Sequence, residues 1–341
     1  MIRAILQPVI VVALAATMTG CLFQDTIESF DGPTMGSTFS VKYVRSSGVA
    51  DKQTLQQETS NILAELDRQL STYRADSDIE RFNALPAGRC EVMPPAVRLL
   101  VETGEQLSLQ TDDAFDLTLE PLLNLWGFGP QGRVEQTPGE AQIAEVMQRV
   151  GHKHLRIEGE QLCKSAAVEV DFNSIAAGYA VDRVAQRLQE LGVSSYLVEI
   201  TGELKAQGRK PDGSPWRIAI EAPRDDQRVA QQVIELDGLA VSTSGDYRNY
   251  FERDGRRYSH TLDPHTGRPV EHKLASVTVL DGSALQADGL STALMVLGPE
   301  RGFEFARQHR IAALFVIREG QGFVTKSTDG FEQVIGAGAK Q

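Results

Sequence analysis

Apolar residues recur along the chain with two different periods, and the two periods outline most of the elements. At 38–44, Phe39, Val41 and Tyr43 alternate with polar neighbours, the period of a half-buried strand. At 55–70 the spacing changes to three and four: Leu55, Ile62, Leu63, Leu66 and Leu70 share one helical face, and the helix ends at Ser71-Thr72-Tyr73. Pro94 and Pro95 open a second helix striped by Val97, Leu99, Leu100 and Leu107. Further helical patterns cover 117–126, 140–150, 175–191 and the stretch holding Leu285, Leu290, Ala293, Leu294 and Val296. Strands are expected at 155–157, 168–172, 196–200, 216–220, 239–242, 275–280, 313–317 and 323–325, and a turn at 32–37. Many consecutive strands are joined by short polar turns. That pattern predicts an α+β fold of mainly antiparallel sheets flanked by helices, not a doubly wound parallel one. No internal repeat or low-complexity linker divides it, so residues 31–341 read as one domain.

The first thirty residues read differently. Arg3 precedes an apolar run from Ala4 to Ala16, with small residues at its exit and Cys21 directly after Gly20. This is the pattern of a secretory signal over 1–20, too short for a confident transmembrane helix. Cys21 resembles the lipidated cysteine of a bacterial lipobox, followed by a tether over 21–30. The expected location is therefore the cell envelope, lipid-anchored and facing the periplasm, with inner or outer membrane left open. Against 34 Lys and Arg stand 46 Asp and Glu, a net charge of −12, and loss of Arg3 with the leader makes it more negative. Nucleic acid is excluded as a partner, because phosphate neutralisation needs clustered cations. Cys90 and Cys163 are the other cysteines. An oxidising compartment allows a bond between them, but spacing alone leaves it open.

Two segments carry candidate chemistry. Ser244-Gly245-Asp246-Tyr247 and 258–270 surround His260 with hydroxyls and with Asp-Pro and Thr-Gly turns. An imidazole held on a fixed turn is a candidate base near neutral pH, and a surface or capping histidine is the alternative. Downstream, Asp288 and Thr292 lie four apart, so both side chains share one helical face. A carboxylate and a hydroxyl form a hard-oxygen set suited to Mg2+; the alternative is a pair satisfying nearby backbone groups. Gly127-Phe128-Gly129-Pro130-Gln131-Gly132 matches G-x-G-x-x-G only as a string: it follows a helix, contains proline and opens no helix, so it reads as a loop. No Walker motif is present in the sequence.

Seven separated pieces, in order, resemble the ApbE family of FAD:protein FMN transferases. They are Thr34-Met35-Gly36-Ser37-Thr38, Leu70-Ser71-Thr72-Tyr73, Ala114-Phe115-Asp116-Leu117-Thr118 with Trp126-Gly127-Phe128-Gly129, Asp171 to Asp182, Thr201-Gly202-Glu203-Leu204, the His260 loop and the Asp288/Thr292 helix. The resemblance implies a T-fold-like architecture, with FAD as donor and Mg2+ on its pyrophosphate. FMN passes to a threonine hydroxyl of a membrane flavoprotein and AMP is released. It implies a metal set of Asp288, Ser291, Thr292 and the Ser174 carbonyl, an FAD site lined by Met35, Tyr73, Ala114, Phe115, Asp116, Asp171, Ala177 and Leu262, and His260 as base. The acceptors it implies are subunits of the sodium-pumping NADH:quinone oxidoreductase (Nqr) or Rnf type. Two positions depart from the family pattern: Ala177 where a lysine is usual, and Thr201-Gly202 in place of Gly-Gly. Hydrolysis of FAD to FMN and AMP, or FAD binding without turnover, are the alternative readings.

Overall fold

The computed structural model describes residues 25–338 apart from 133, 135, 136, 225, 226 and 228, so the leader and Cys21 lie outside the described residues. An eight-stranded sheet runs, in spatial order, through Thr26–Thr34, Ser37–Arg45, Tyr196–Ile200, Glu203–Gln207, Leu239–Gly245, Leu274–Asp281, Ala312–Glu319 and Gly322–Ser327. Every pairing in it is antiparallel, and spatial order follows chain order, so the sheet is a meander with insertions. Among the described residues, eight helices accompany it: α1 (Lys52–Leu70), α2 (Asp78–Asn83), α3 (Pro95–Gln110), α4 (Glu120–Trp126), α5 (Glu140–Val146), α6 (Ala176–Glu190), α7 (Ala284–Gln308) and α8 (Asp329–Gly338). The α+β expectation holds. Among the described residues, no helix is long and apolar enough to cross a membrane.

Strand alternation divides the core in two. Val41, Tyr43, Val198, Ile200, Val277 and Val279 point to one face and pack with Leu63, Val184, Ala287 and Leu294 of α1, α6 and α7. Val44, Ala206, Val241 and Leu280 point to the other, under the hairpin Trp216–Glu221/Ala230–Leu236 and Phe331 of α8. A smaller cluster of Leu122, Trp126, Ile143, Val146 and Leu262 supports the His260 insertion.

Two expectations fail locally, for identifiable reasons. Residues 168–172 form no strand. Their backbone groups bond elsewhere: Val170 N–H donates to Asn83 Oδ1 (2.8 Å), Val170 O accepts from Asn83 Nδ2 (3.0 Å), and Asp171 N–H donates to Leu117 O (2.8 Å). A side-chain amide replaces the ladder. The turn expected over 32–37 shrinks to Met35-Gly36, both at positive φ (46° and 70°), and Gly32 to Thr34 belong to a strand. A two-residue turn of this kind matches the twist of its flanking strands. Cys90 and Cys163 face each other across the small sheet Arg89–Val92, Gln161–Lys164, Leu155–Glu158, and are joined by a disulfide.

Candidate active site

Ser283 caps α7, its hydroxyl accepting from Gln286 N–H, and one turn later Asp288 is buried against the sheet. On the facing strand Ala240 lies on the helix side, so by alternation Ser242 and Ser244 do too. The result is a chain of hydroxyls: Ser242 to Ser291 (3.0 Å), Ser244 to Ser291 (2.8 Å) and Ser244 to Thr292 (3.3 Å), with Ser291 donating to the Asp288 carbonyl (2.9 Å). Asp288 Oδ2 accepts from Gly178 N–H at 2.9 Å, and Ser242 reaches Oδ1 at 3.5 Å. Only glycine permits this crossing, since a Cβ at 178 would lie 2.3 Å from Ala284 O and 2.7 Å from Asp288 Cβ.

Beside Asp288 lies Glu203. Burial, and then the Asp288 charge, push its carboxyl well above the ordinary range, with a Ser242 hydrogen bond opposing. Burial also raises Asp288, against the Gly178 and Ser242 hydrogen bonds. Glu203 Oε2 is sealed from solvent and has no hydrogen-bond partner. An orphaned carboxyl oxygen beside a second carboxyl and a row of hydroxyls suits a hard divalent cation such as Mg2+: the donors are all oxygen, and a positive charge lets both carboxyls ionise.

Asp288 and Thr292 line a cavity of about 850 Å³, and His260 lines the same cavity. That volume falls within the range of small-molecule and cofactor sites. His260 follows the strand Arg256–Ser259. Its backbone N–H and its ring Nδ1 both donate to the Asn249 carbonyl (3.1 and 3.0 Å). A carbonyl only accepts, so Nδ1 carries the proton and Nε2 keeps the free lone pair. Burial holds His260 below the ordinary imidazole value, outweighing the Asn249 carbonyl and the Asp246 charge. An aromatic stack of Trp126, Tyr258, Phe251 and Phe128 runs up to the imidazole edge. The turn below is tied by His265 N–H to Asp263 Oδ1 (2.9 Å) and by Gly267 N–H to Asp263 O (2.8 Å).

Of the remaining residues singled out from sequence, Ala114, Phe115, Asp116, Asp171, Ser174 and Leu262 line this cavity. Met35, Tyr73, Ala177 and Ser291 are not among its lining residues. Met35 packs half-buried against the main core, Tyr73 is 66% exposed, and Ser291 is buried within the hydroxyl chain. Asp116 has internal duties: Oδ1 accepts from Thr118 N–H (2.7 Å) and Oγ1 (2.6 Å), and Oδ2 from His152 N–H (2.9 Å). Asp171 accepts from Asn173 N–H and Nδ2, and burial raises it to about 6. Gly127 ends α4 in the left-handed conformation, consistent with a loop and not a dinucleotide turn.

Sequence reasoning passed over Ser242, the chemistry of Glu203, and a polar knot behind Asp171. Ser242 had a signal, the alternation that puts it beside Ser244 on one strand face. Glu203 was visible only as part of a motif. In the knot, Asn83 Nδ2 donates to Glu120 Oε2 and Glu80 Oε1 (both 3.0 Å), and buried Lys164 donates to the Asn83 and Val168 carbonyls. Burial, with the Glu80, Asp171 and Glu169 charges behind it, raises Glu120 to about 9.

The fold and cavity define an α+β protein with a large cavity, in which carboxylate, hydroxyl and imidazole groups converge. The sequence profile described as the ApbE family matches residues 35–315. The chain belongs to that family. It is 43% identical over 327 residues to the FAD:protein FMN transferase of Vibrio cholerae, covering 95% of this chain and 98% of that one. The apo crystal structure of the Pseudomonas stutzeri flavinyl transferase ApbE superposes with a TM-score of 0.87 at 67% identity, covering 92% of this chain and 98% of that chain. An ApbE protein from Thermotoga maritima, only 28% identical, still gives a TM-score of 0.81 over 91% of this chain and 99% of that chain.

Proposed function

We infer that this chain is a FAD:protein FMN transferase. The observation that carries this reading is the single cavity that brings the Asp288/Thr292 oxygens and the free Nε2 of His260 together. In the reaction, a threonine hydroxyl of the acceptor attacks the riboflavin-bearing phosphorus of FAD. The P–O bond to the AMP phosphate breaks, a phosphoester to threonine forms and AMP leaves. His260 Nε2 takes the hydroxyl proton, and Nδ1, engaged with Asn249, fixes the ring so that only Nε2 is available. Asp288, Thr292 and the Ser174 carbonyl, with Ser291 once its hydroxyl leaves the Ser242/Ser244 chain, would hold a divalent cation, which would supply charge neutralisation at the pyrophosphate. Ala114, Phe115 and Leu262 give the cavity apolar walls for the flavin dinucleotide, and Asp171 a polar one. Met35, Tyr73 and Ala177 stay in the proposed FAD site as what the family resemblance implies, outside the residues that line the cavity.

The proposed setting is the cell envelope. Residues 1–20 direct export, lipid on Cys21 anchors the domain facing the periplasm, and the acceptors are threonine-bearing flavoprotein subunits of the membrane, of Nqr or Rnf type. The Cys90–Cys163 disulfide supports an oxidising compartment. The test incubates the protein with FAD, Mg2+ and a threonine-bearing acceptor fragment, then reads acceptor mass and in-gel flavin fluorescence. A mass gain matching FMN is expected. AMP release with unlabelled acceptor would make the protein a FAD pyrophosphatase, and FAD binding with neither product would make it a carrier.

A further inference from the structure

Glu203 follows Thr201-Gly202, a two-residue turn in which both residues have positive φ, 53° and 113°. Ile200 pairs directly with Glu203 across this hairpin, so the two side chains leave the sheet on the same face. Ile200 belongs to the helix-side core, and Glu203 is thereby aimed at α7 and Asp288. A β-branched threonine at φ 53° is a strained choice, of order 1–3 kcal/mol, and persists only where its surroundings over-determine it. Close backbone approach is not the reason for this turn, since a Cβ at Gly202 would meet nothing within 4 Å. What the turn does accomplish is the placement of one carboxylate.

That carboxylate is poorly provided for by the protein's own groups. Its Oε2 is closed to solvent without a partner, and its neighbour is a second buried carboxylate. Among the described residues neither group has a lysine or arginine against it; nearby Lys205 instead bonds Asp182 (2.7 Å) and the Gly282 carbonyl (2.8 Å). Two carboxyl groups set this close, with no lysine or arginine against them, are costly to ionise together, and a divalent ion relieves that cost.

We propose that Glu203 belongs to the cation-holding oxygen set, as the second anionic group beside Asp288, its Oε2 serving the ion on the sheet side while Asp288 and Thr292 serve it from α7. The proposal deepens the metal-dependent reading of the site and rests on it. Two carboxylates match the charge of a divalent ion before the pyrophosphate arrives, so a chain carrying both holds its metal more tightly than one carrying Asp288 alone.

The test titrates Mn2+ into FAD-loaded protein without acceptor and reads free Mn2+ by electron paramagnetic resonance, with FAD affinity measured separately in EDTA by flavin fluorescence. Glu203→Gln is expected to weaken Mn2+ binding about 10- to 100-fold while FAD affinity in EDTA stays within about twofold. Glu203→Asp should fall between the two. In EDTA, Glu203→Gln should melt no lower than the parent, because an amide replaces a carboxylate that lacks a cation; a lower Tm would make Glu203 a structural residue and overturn the proposal. Asp288→Asn separates the two levels of the argument. If it loses Mn2+ while Glu203→Gln binds within about twofold of the parent, the proposal for Glu203 fails and the metal site stands. If neither substitution changes Mn2+ binding, the metal site itself is misassigned.

Discussion

Half-buried His260 and buried Glu120 are ionisable groups shifted towards their neutral forms, and that shift makes their roles testable by pH. With burial lowering His260, the imidazole keeps its free-base form to lower pH than an ordinary histidine, whose value is 6.5. The acid limb of kcat/KM should therefore lie below pH 6.5, with a flat region above it. His260→Ala should slow transfer about 10²- to 10⁴-fold, abolish that limb and leave FAD affinity nearly unchanged. Equal losses in rate and affinity would mean that it only shapes the cavity. Glu120 has its folded pKa raised to about 9 from an ordinary 4.5. Stability is then fully present below pH 4.5 and is lost as pH rises towards 9, by at most about 1.4 kcal/mol per pH unit. Glu120→Gln mimics the protonated acid, so it should match the parent near pH 5 and exceed it increasingly towards pH 9 in denaturant unfolding.

The crossing of α6 and α7 decides whether Asp288 can face the cavity. Gly178 allows helix backbones to approach closely enough for its N–H to bond Asp288. Gly178→Ala should push α6 outward, cost about 1–3 kcal/mol in thermal or urea unfolding, and weaken Mn2+ binding with it. The helices and the main strands could be read from periodicity because each has one buried and one exposed side. Residues 168–172 misled the same reasoning: Val168, Val170 and Phe172 alternate with acidic residues as in a strand, but the Val170 hydrogen bonds are taken by Asn83, more than eighty residues away in sequence. Ser242 was legible by alternation once the strand was placed, whereas Glu203 needed the register of the Ile200 pair.

Across the whole molecule, the insertions between neighbouring strands bring distant chain together, and the Cys90–Cys163 bond closes 73 residues of it. Loop-closure entropy assigns such a bond about 4 kcal/mol. Reduction, or Cys90→Ser with Cys163→Ser, should lower stability by about that amount in denaturant unfolding, and no loss would show that the small sheet holds without it. The sequence by itself determined the α+β class, the membership of the family and the one-turn spacing that sets Asp288 and Thr292 on one face, because periodicity and short motifs are local properties of the chain. Tertiary structure alone decided that Glu203 meets Asp288, that Asp116 is consumed by His152 and Thr118, and that Tyr73 and Met35 lie outside the cavity. Those facts depend on strand register and helix crossing, where residues remote along the chain compete for the same buried space and the same hydrogen bonds.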